Sequence, residues 1–383
     1  MMDRRALAMG IVLTFCSSIF ATVQAREPIK VGFLAALTGP GAAFGINMLQ
    51  GHKMAMDEVN ESGGLLGRKL EVVVIDDAAD PAQSVSAMTR LIYQDQVDIV
   101  IGGWGSATVL ANFKGCEKAK VPYIECGGSN PRITRGQNNQ WTFAVIQNDE
   151  KQAKVISELA MNMGHKRFAI LHDRNDFGRG GRDEFSKGLA KGGLKPVIVE
   201  SYQMGDKDFN AQLIKIREGK PDALGLFGTL VEGAAIAIQM KKLGMSLPIF
   251  SMAGLSNVNY IKLGGDAVEK TLCASHFNRR ISDETEAWAS KYENKFAHST
   301  VIADPMSAWI AYTAVANCFP RAVKMAGSMD KTKVRDALRK IKWREPGQSI
   351  DNYFDEEQAV VKETIVVQVK DGKFIPIKKM KPY

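Results

Sequence analysis

Short apolar runs alternate with amphipathic stretches along the first part of the chain. The run IKVGFLAAL precedes residues 44–60, where Phe44, Met48 and Val59 recur at helical spacing. Runs such as VDIVIG are continuously apolar rather than alternating, which is typical of parallel strands covered by helices on both faces. The pattern therefore predicts an α/β fold with a doubly wound parallel sheet.

The same order of elements starts again in the second part of the chain. KRFAILHD, KPVIVES, DALGLF and LPIFS are strand-like, and helical stretches separate them. After residues 276–280 two helical stretches follow without a strand between them, and TIVVQVKDGKFIPIK closes the chain as extended segments. We predict two doubly wound parallel-sheet lobes, with late helices and strands that dock onto sheets already formed.

The first 25 residues differ from the rest. Arg4 and Arg5 precede the apolar run ALAMGIVLTF, and Val-Gln-Ala ends the segment. This order is typical of a secretory signal peptide cleaved after Ala25. A single membrane anchor is the alternative, but the run is short for a transmembrane helix. We predict a signal peptide over residues 1–25 and a soluble exported protein.

Charge and length limit the partners of the mature chain. Removal of 25 of the 383 residues leaves 358, enough for two domains, and lowers the net charge from +8 to +7. This positive charge is spread along the chain, so no nucleic-acid partner is expected. The C-terminal cluster IKKMKP is expected to be a solvated tail. Four cysteines remain in a compartment that permits disulfides, and three full pairings stay open: Cys116, Cys126, Cys273 and Cys318.

Motifs of the common enzyme classes are missing from the sequence. It contains no GxGxxG after the first strand, no GxxxxGK[ST] and no GxSxG elbow. Asp76 and Asp77 are adjacent acids, but no histidine or second acidic cluster is placed to complete a catalytic pair, so solvent-facing and helix-capping roles are expected. The scattered histidines and the absence of CxxC argue against a zinc site. We expect no enzyme, no metal and no cofactor.

Glycine-containing loops follow six of the predicted strands. Ligands of open parallel sheets bind beyond the carboxyl ends of the strands, where loops lead into helix N-termini. In IGGWGSAT, the hydroxyl and the N–H of Ser106 can hold one carboxylate oxygen, while Ser129 and the Gly127–Gly128 amides of IECGGSNPR can hold the other. Ser106 has an alternative role as a helix cap, and Trp104 as a core residue. The candidate apolar wall consists of Phe44, Trp104 and Phe177.

These loops resemble those of the periplasmic solute-binding proteins of the leucine/isoleucine/valine-binding type, which feed ABC importers. The resemblance is carried by IKVGFLAALTGPGAAFG, NESGGLLGRKLEVVVIDDAADPAQSV, IGGWGSAT, SNPRIT, LHDRNDFGRG and GDKDFNAQL, in the order of the family. It implies two lobes joined by three crossovers, which close on a ligand. The implied first lobe is residues 28–147 plus 277–361, and the second is residues 148–276 plus 362–383.

The resemblance also implies the binding residues. One position departs from the family, because the acid that pairs with a ligand's ammonium after LPIFS is replaced here by Ala253. A buried ammonium without a counter-charge is costly, so another acid replaces it or the ligand has no ammonium. Glu125 and Glu232 are the candidate acids, although Glu232 is expected on the surface. The matching ligand contacts are Phe44, Ser106, Gly127, Ser129, Phe177 and Thr229.

We therefore expect a periplasmic receptor, a monomer, that captures a small carboxylate solute and passes it to the membrane permease of an ABC importer. The solute is an amino acid or an organic acid with an aromatic or branched aliphatic body, and an amine-free acid is preferred. One alternative is a strict branched-chain amino-acid binder. Two others are a sensory module for a membrane kinase or chemoreceptor, and an exported α/β enzyme.

Overall fold

A computed structural model describes residues 27–135 and 139–382, so the predicted signal peptide lies outside the described residues. The first part of the chain forms a five-stranded parallel sheet in the order β2-β1-β3-β4-β5. Its last strand was not recognised in the sequence. The strands are β1 Ile29–Ala35, β2 Leu70–Asp76, β3 Ile99–Gly102, β4 Tyr123–Glu125 and β5 Thr142–Ala144.

Three helices connect the strands of this sheet. Asp80 precedes the second of them and accepts a hydrogen bond from the Gln83 N–H at 2.8 Å, and Pro81 is its first residue, as the sequence predicts. The side chains of Leu91 and Val97 pack against the sheet in the core. The helices are α1 Ala42–Glu61, α2 Pro81–Tyr93 and α3 Ser106–Ala119.

The middle of the chain repeats the arrangement. Five parallel strands lie in the order β7-β6-β8-β9-β10, which confirms the second βα series. The strands are β6 Phe168–Asp173, β7 Ile198–Tyr202, β8 Ala223–Phe227, β9 Ile249–Ser251 and β10 Leu272–Ser275. The helices are α4 Asp149–Asn162, α5 Asp176–Lys191, α6 Asn210–Glu218, α7 Leu230–Lys242 and α8 Val258–Gly264.

Late helices return to the first sheet. The tenth helix packs along α1. A Cβ on Gly51 of α1 would lie 2.0 Å from the Ala308 carbonyl oxygen, so glycine at this position allows the two helix backbones to approach closely. The helices are α9 Asp283–Lys295, α10 Pro305–Thr313, α11 Phe319–Ala326 and α12 Lys331–Leu338. A small antiparallel sheet follows, with β11 Lys342–Trp343, β12 Asn352–Phe354 and β13 Val360–Val361.

The last two strands correct two expectations. Strands β14 Thr364–Lys370 and β15 Lys373–Met380 form an antiparallel hairpin, and β14 pairs antiparallel with β10. The second sheet is therefore mixed rather than wholly parallel. Most of the lysine-rich C-terminal cluster lies in β15, an edge strand, where lysine side chains discourage pairing with other chains, so it is not a free tail.

The chain passes between the two large sheets three times: after β5, after β10 and between β13 and β14. Hydrogen bonds join two of these crossovers, since Gln147 Nε2 donates to the Lys362 carbonyl at 2.8 Å and the Thr364 hydroxyl donates to Gln147 Oε1 at 2.8 Å. Below, the first lobe is the part built on β1–β5 with α1–α3 and α9–α12. The second lobe is the part built on β6–β10, β14 and β15. The residue boundaries implied by the resemblance stay a prediction.

The four cysteines within residues 27–135 and 139–382 are buried and free, so none of the three possible pairings among them forms. Burial raises the pKa of each thiol, as at Cys116 and Cys273. No helix among residues 27–135 and 139–382 combines the length and apolarity needed to span a bilayer.

Candidate ligand-binding cleft

A cavity of about 540 Å³ lies between the two lobes, at the carboxyl ends of parallel strands from both sheets. Its volume is in the range of small-molecule sites. The structure therefore brings residues from loops and helices of both lobes to one place. All eight predicted ligand contacts line the cavity: Phe44, Trp104, Ser106, Gly127, Ser129, Phe177, Thr229 and Ala253.

The glycines of IGGWGS let two strand exits come together. Gly103 and Gly105 have φ values of +90° and +86°, which disfavour residues with a Cβ. A Cβ on Gly103 would lie 2.2 Å from the Tyr123 hydroxyl oxygen. The Gly105 N–H donates to the Gly127 carbonyl at 3.0 Å, which ties the loop after β3 to the loop after β4. The turn thus places the start of α3 beside the second loop.

Ser106 is the first residue of α3, and Gly105 holds the N-cap position without a side-chain cap. The capping role considered for Ser106 is therefore wrong. Its hydroxyl oxygen instead accepts a hydrogen bond from the Asn130 N–H at 3.1 Å, which leaves the hydroxyl proton for a ligand oxygen. The first N–H groups of a helix have no acceptor within the helix and carry partial positive charge. Ser106, Ala107 and Thr108 line the cavity there.

The Gly127 and Gly128 amides do not face a ligand as predicted. Both donate to the Glu125 carboxyl oxygen Oε2, at 3.1 Å and 2.7 Å. Glu125 is fully buried, and its other oxygen has no partner in the described part of the chain. Burial raises the pKa of Glu125 to about 8, which the two N–H groups oppose. Gly127 still forms part of the cavity wall, but its N–H stabilises the protein's own carboxyl group.

Ser129 completes the polar end of the cavity. Its carbonyl accepts from the Asp149 N–H at 2.7 Å, which fixes the loop against the start of α4. Within residues 27–135 and 139–382 the Ser129 N–H has no protein acceptor. Ser106, Ser129 and the first turn of α3 therefore supply hydroxyl and backbone donors for a carboxylate.

Phe44 and Trp104 form the aromatic wall of the first lobe. Their ring centroids lie 5.3 Å apart and their planes are inclined by 27°. A Cβ on Gly41 would lie 2.5 Å from Trp104 Cζ3, so this glycine makes room for the indole. Trp104 packs in the core and also lines the cavity, so it has both of the roles that the sequence offered as alternatives. Phe177 of α5 provides an aromatic surface in the second lobe.

The polar groups of the second lobe mostly bond to each other. The Thr229 hydroxyl donates to Glu232 Oε2 at 3.3 Å, and the Gly205 N–H donates to Glu232 Oε1 at 2.9 Å. Glu232 is buried, so the expectation of a surface position is wrong. The Ala253 N–H donates to Gln152 Oε1 at 2.9 Å. Neither Glu125 nor Glu232 lines the cavity as a replacement acid.

Comparison with known proteins identifies the family. The model of the periplasmic binding protein family matches residues 28–373. The chain belongs to the periplasmic binding protein family. The Leu/Ile/Val-binding protein BraC3 of Rhizobium johnstonii is 31% identical over 278 residues, which cover 72% of this chain and 75% of the relative.

Two further comparisons support the same group within the family. Leu/Ile/Val-binding protein homolog 3 of Brucella melitensis is 29% identical over 320 residues, 83% of this chain and 84% of the relative. The substrate-binding protein LivJ of Streptococcus pneumoniae, crystallised with isoleucine, has a TM-score of 0.83 at 26% identity, and the match covers 93% of this chain and 100% of that chain. This periplasmic binding protein is thus of type I, in the Leu/Ile/Val-binding family of ABC transporters. The family implies a periplasmic location.

The acidic pair Asp76 and Asp77 has a structural role in this periplasmic binding protein. Asp76 accepts from the Leu37 N–H at 2.7 Å and the Thr38 hydroxyl at 2.6 Å, and Asp77 accepts from the Ser84 hydroxyl at 2.8 Å. The two carboxylates therefore hold the loops after β1 and β2. Asp77 is buried, so a solvent-facing role is wrong for it, and neither residue lines the cavity.

Several lining residues were missed in the sequence. Asp173 ends β6 in the quoted loop LHDRNDFG, so the strand-exit rule was sufficient to find it. His276 follows β10, whose run LCAS was not recognised as a strand. Met48, Met306 and Ile310 come from helices, where a residue that faces a cavity looks like any core residue.

The lobes also contact each other directly beside the cavity. Asn130 Nδ2 donates to the Asp176 carbonyl at 3.1 Å, and Arg132 Nη1 lies 3.9 Å from Asp176 Oδ1. Asn130 and Arg132 belong to the loop after β4, whereas Asp176 begins α5 of the second lobe. In this structure of the periplasmic binding protein, the two lobes are therefore in direct contact beside the cavity.

Proposed function

We propose that this protein captures a small carboxylate-bearing solute between its lobes and delivers it to the membrane permease of an ABC importer. The solute is an amino acid or an organic acid with an aromatic or branched aliphatic body. The protein acts in the periplasm after removal of residues 1–25, and it performs no chemistry on the solute. The family itself consists of solute-binding receptors.

One observation carries the proposal: the interlobe cavity of about 540 Å³ has a polar end and an apolar wall. The polar end is formed by Ser106, Ser129 and the open first turn of α3, and such donors favour an anion through charge-assisted hydrogen bonds. The wall contains the stacked rings of Phe44 and Trp104. Because both lobes contribute, a bound solute favours the arrangement in which they are together.

The relatives support the same solute class. The names of the Rhizobium and Brucella proteins describe binding of leucine, isoleucine and valine, and the Streptococcus protein was crystallised with isoleucine. These ligands carry a carboxylate and a branched apolar body. An organic acid of the same shape shares both features, so the proposal includes both classes.

Mass spectrometry of the small molecules that co-purify with the protein, followed by calorimetry with branched and aromatic amino acids and organic acids, tests the proposal. We expect binding of at least one acid and no binding of its amide, which has the same shape without the charge. Equal affinity for the acid and its amide would contradict carboxylate capture. Recovery of every bound ligand unchanged after incubation is the expected result for a receptor without enzymatic activity.

A further inference from the structure

The imidazole of His276 lies in the cavity wall without a protein partner for Nδ1. His276 follows β10 in the second crossover between the lobes, and its side chain is 3% exposed. Nδ1 is buried, and no donor or acceptor within residues 27–135 and 139–382 reaches it. No protein acceptor among these residues therefore holds a proton on Nδ1.

Burial keeps this imidazole neutral. It lowers the pKa of His276 to about 3, and the nearby Lys362 ammonium acts in the same direction. A neutral imidazole has one N–H donor and one acceptor nitrogen. With no acceptor beside Nδ1, the proton is better placed on Nε2. This nitrogen is the one through which His276 can donate a hydrogen bond to a molecule in the cavity.

The charges around the cavity do not suit an ammonium group. Among the lining residues that the structure describes, Asp173 and Arg174 are the charged ones. Asp173 is engaged on both oxygens, which accept from the Asn175 N–H at 3.2 Å and from Asn175 Nδ2 at 2.8 Å. Asn175 in turn caps α5 by accepting from the Gly178 N–H at 2.8 Å. The carboxylate of Asp173 therefore supports the start of a helix.

Lys362 adds positive charge behind His276, although it is paired. Its Nζ lies 3.2 Å and 3.1 Å from the two carboxyl oxygens of Glu345, and both residues are almost completely buried. The Trp309 indole N–H also donates to Glu345, at 3.0 Å. Glu345 is thus fully used within the protein and does not line the cavity.

We propose that the cleft selects a carboxylic acid that carries an uncharged oxygen substituent in place of an ammonium group, and that His276 distinguishes the two. The inference rests on the proposed capture of a carboxylate and specifies its substrate class. Nε2–H of His276 donates to a hydroxyl or carbonyl oxygen of the ligand, whereas an ammonium there would meet a donor and find no free acid.

Calorimetry on the full mature chain with matched ligands tests this selection. Leucine, its hydroxy-acid analogue and isocaproate share a skeleton, as do phenylalanine, phenyllactate, phenylpropanoate and ring-hydroxylated phenylpropanoate. In whichever of these two series binds more tightly, we expect the acid with a hydroxyl group to bind at least about tenfold more tightly than the amino acid of the same skeleton. An amino acid that binds equally well or better overturns the inference and leaves carboxylate capture intact. If no acid in either set binds, the proposed function fails as well.

The His276→Phe variant tests the role of the imidazole, since it keeps an aromatic ring and removes both nitrogens. The oxygen-bearing acid is expected to lose its advantage over the corresponding unsubstituted acid, about tenfold, while the unsubstituted acid keeps its affinity within about threefold. His276→Gln retains an N–H donor and is expected to keep part of the advantage. An unchanged affinity ratio in His276→Phe removes His276 from the selection.

Asp173→Asn tests the competing assignment of the counter-ion. The amide removes the charge and can still hold Asn175 through its oxygen. If Asp173 does not pair with a ligand ammonium, the amino acids and the oxygen-bearing acids change affinity by the same factor. A selective loss of amino-acid binding identifies Asp173 as the counter-ion and overturns the inference. Melting temperatures without ligand show whether each variant is folded before its affinities are compared.

Discussion

Each lobe keeps a buried carboxyl group behind its part of the cavity wall, but the two groups are used differently. Glu125 in the first lobe accepts from two backbone N–H groups and holds the loop that carries Gly127 and Ser129. Glu232 in the second lobe accepts from the Gly205 N–H and from the Thr229 hydroxyl itself. The first lobe thus leaves the Ser106 hydroxyl proton available, whereas the second lobe occupies Thr229.

Because of this difference, the two lobes are expected to contact different parts of a bound solute. The first lobe presents Ser106, Ser129 and the start of α3 to the cavity as fixed donors, so it can hold a carboxylate before the lobes come together. The second lobe contributes the ring of Phe177 and a wall in which the Thr229 hydroxyl and the Ala253 N–H are already bonded. We therefore expect charge recognition to depend on the first lobe, and closure around the body of the solute to depend on the second.

The largest difference between the lobes is expected in the pH dependence of stability. Burial raises the pKa of Glu125 from 4.5 to about 8, and that of Asp173 from 3.8 to about 6. Between the two values, the unfolded chain has lost a proton that the folded protein still holds, so the free energy of unfolding falls as the pH rises. Glu125→Gln should remove a fall on the order of a few kcal/mol between pH 4.5 and 8.

Asp173→Asn is the matched variant in the second lobe. It should remove a smaller fall with the same sign, confined to the window between pH 3.8 and 6. Urea denaturation over the whole pH range measures both windows. If the Glu125→Gln curve runs parallel to that of the wild type from pH 6 to pH 8, the buried carboxyl of the first lobe does not hold a proton there.

Much of the fold could be predicted from the sequence because its strands are apolar and its helices carry local signals. Asp80 with Pro81 predicts the start of α2 from two residues. The extended segment TIVVQVKDGKFIPIK was predicted as well, but the continuation of β15 through Lys379 and Met380 was not, because the lysine cluster lacks an apolar run and its strand form depends on pairing with β14. The three-residue strand β5 is likewise too short for periodicity to indicate.

Site residues could be predicted where the loop after a strand contains glycine beside a hydroxyl residue. They could not be predicted where a residue's role depends on hydrogen bonds to other residues of the protein. The sequence places Gly127 and Gly128 beside Ser129, but nothing in their order indicates that Glu125 takes both amides. Likewise, Glu232 at the start of a helix looks like a surface residue. Its burial follows from the packing of α7 against the sheet and from the two donors that surround it.

Removing one hydroxyl from each lobe tests whether the first lobe binds the carboxylate more strongly than the second. Ser106→Ala should weaken carboxylate binding by about 1–3 kcal/mol, because the loss removes a donor to a charged group. Thr229→Ala should weaken it by less than about 1 kcal/mol, since the Thr229 hydroxyl already donates to Glu232. Calorimetry with the same acid on both variants measures the difference. Equal losses would mean that both lobes hold the carboxylate and would remove the distinction.

Ser129→Ala is the control within the first lobe. It should act in the same direction as Ser106→Ala, and the double variant should lose less than the sum if both hydroxyls hold one carboxylate. The amide of the same ligand should show neither effect. Full additivity in the double variant would place the two hydroxyls on separate ligand groups.

The smallest effect is expected where the lobes touch each other outside the cavity. Arg132 Nη1 lies 3.9 Å from Asp176 Oδ1, and the arginine side chain is 65% exposed, so solvent and salt screen the pair. Arg132→Ala should weaken ligand binding by less than about 1 kcal/mol, and high salt should abolish the difference. Arg179 also contacts Asp176, at 3.2 Å, but from within the second lobe, so Arg179→Ala is the matched control. If Arg132→Ala still binds the ligand more weakly at high salt, then Arg132 stabilises the contact between the lobes through packing and not through its charge.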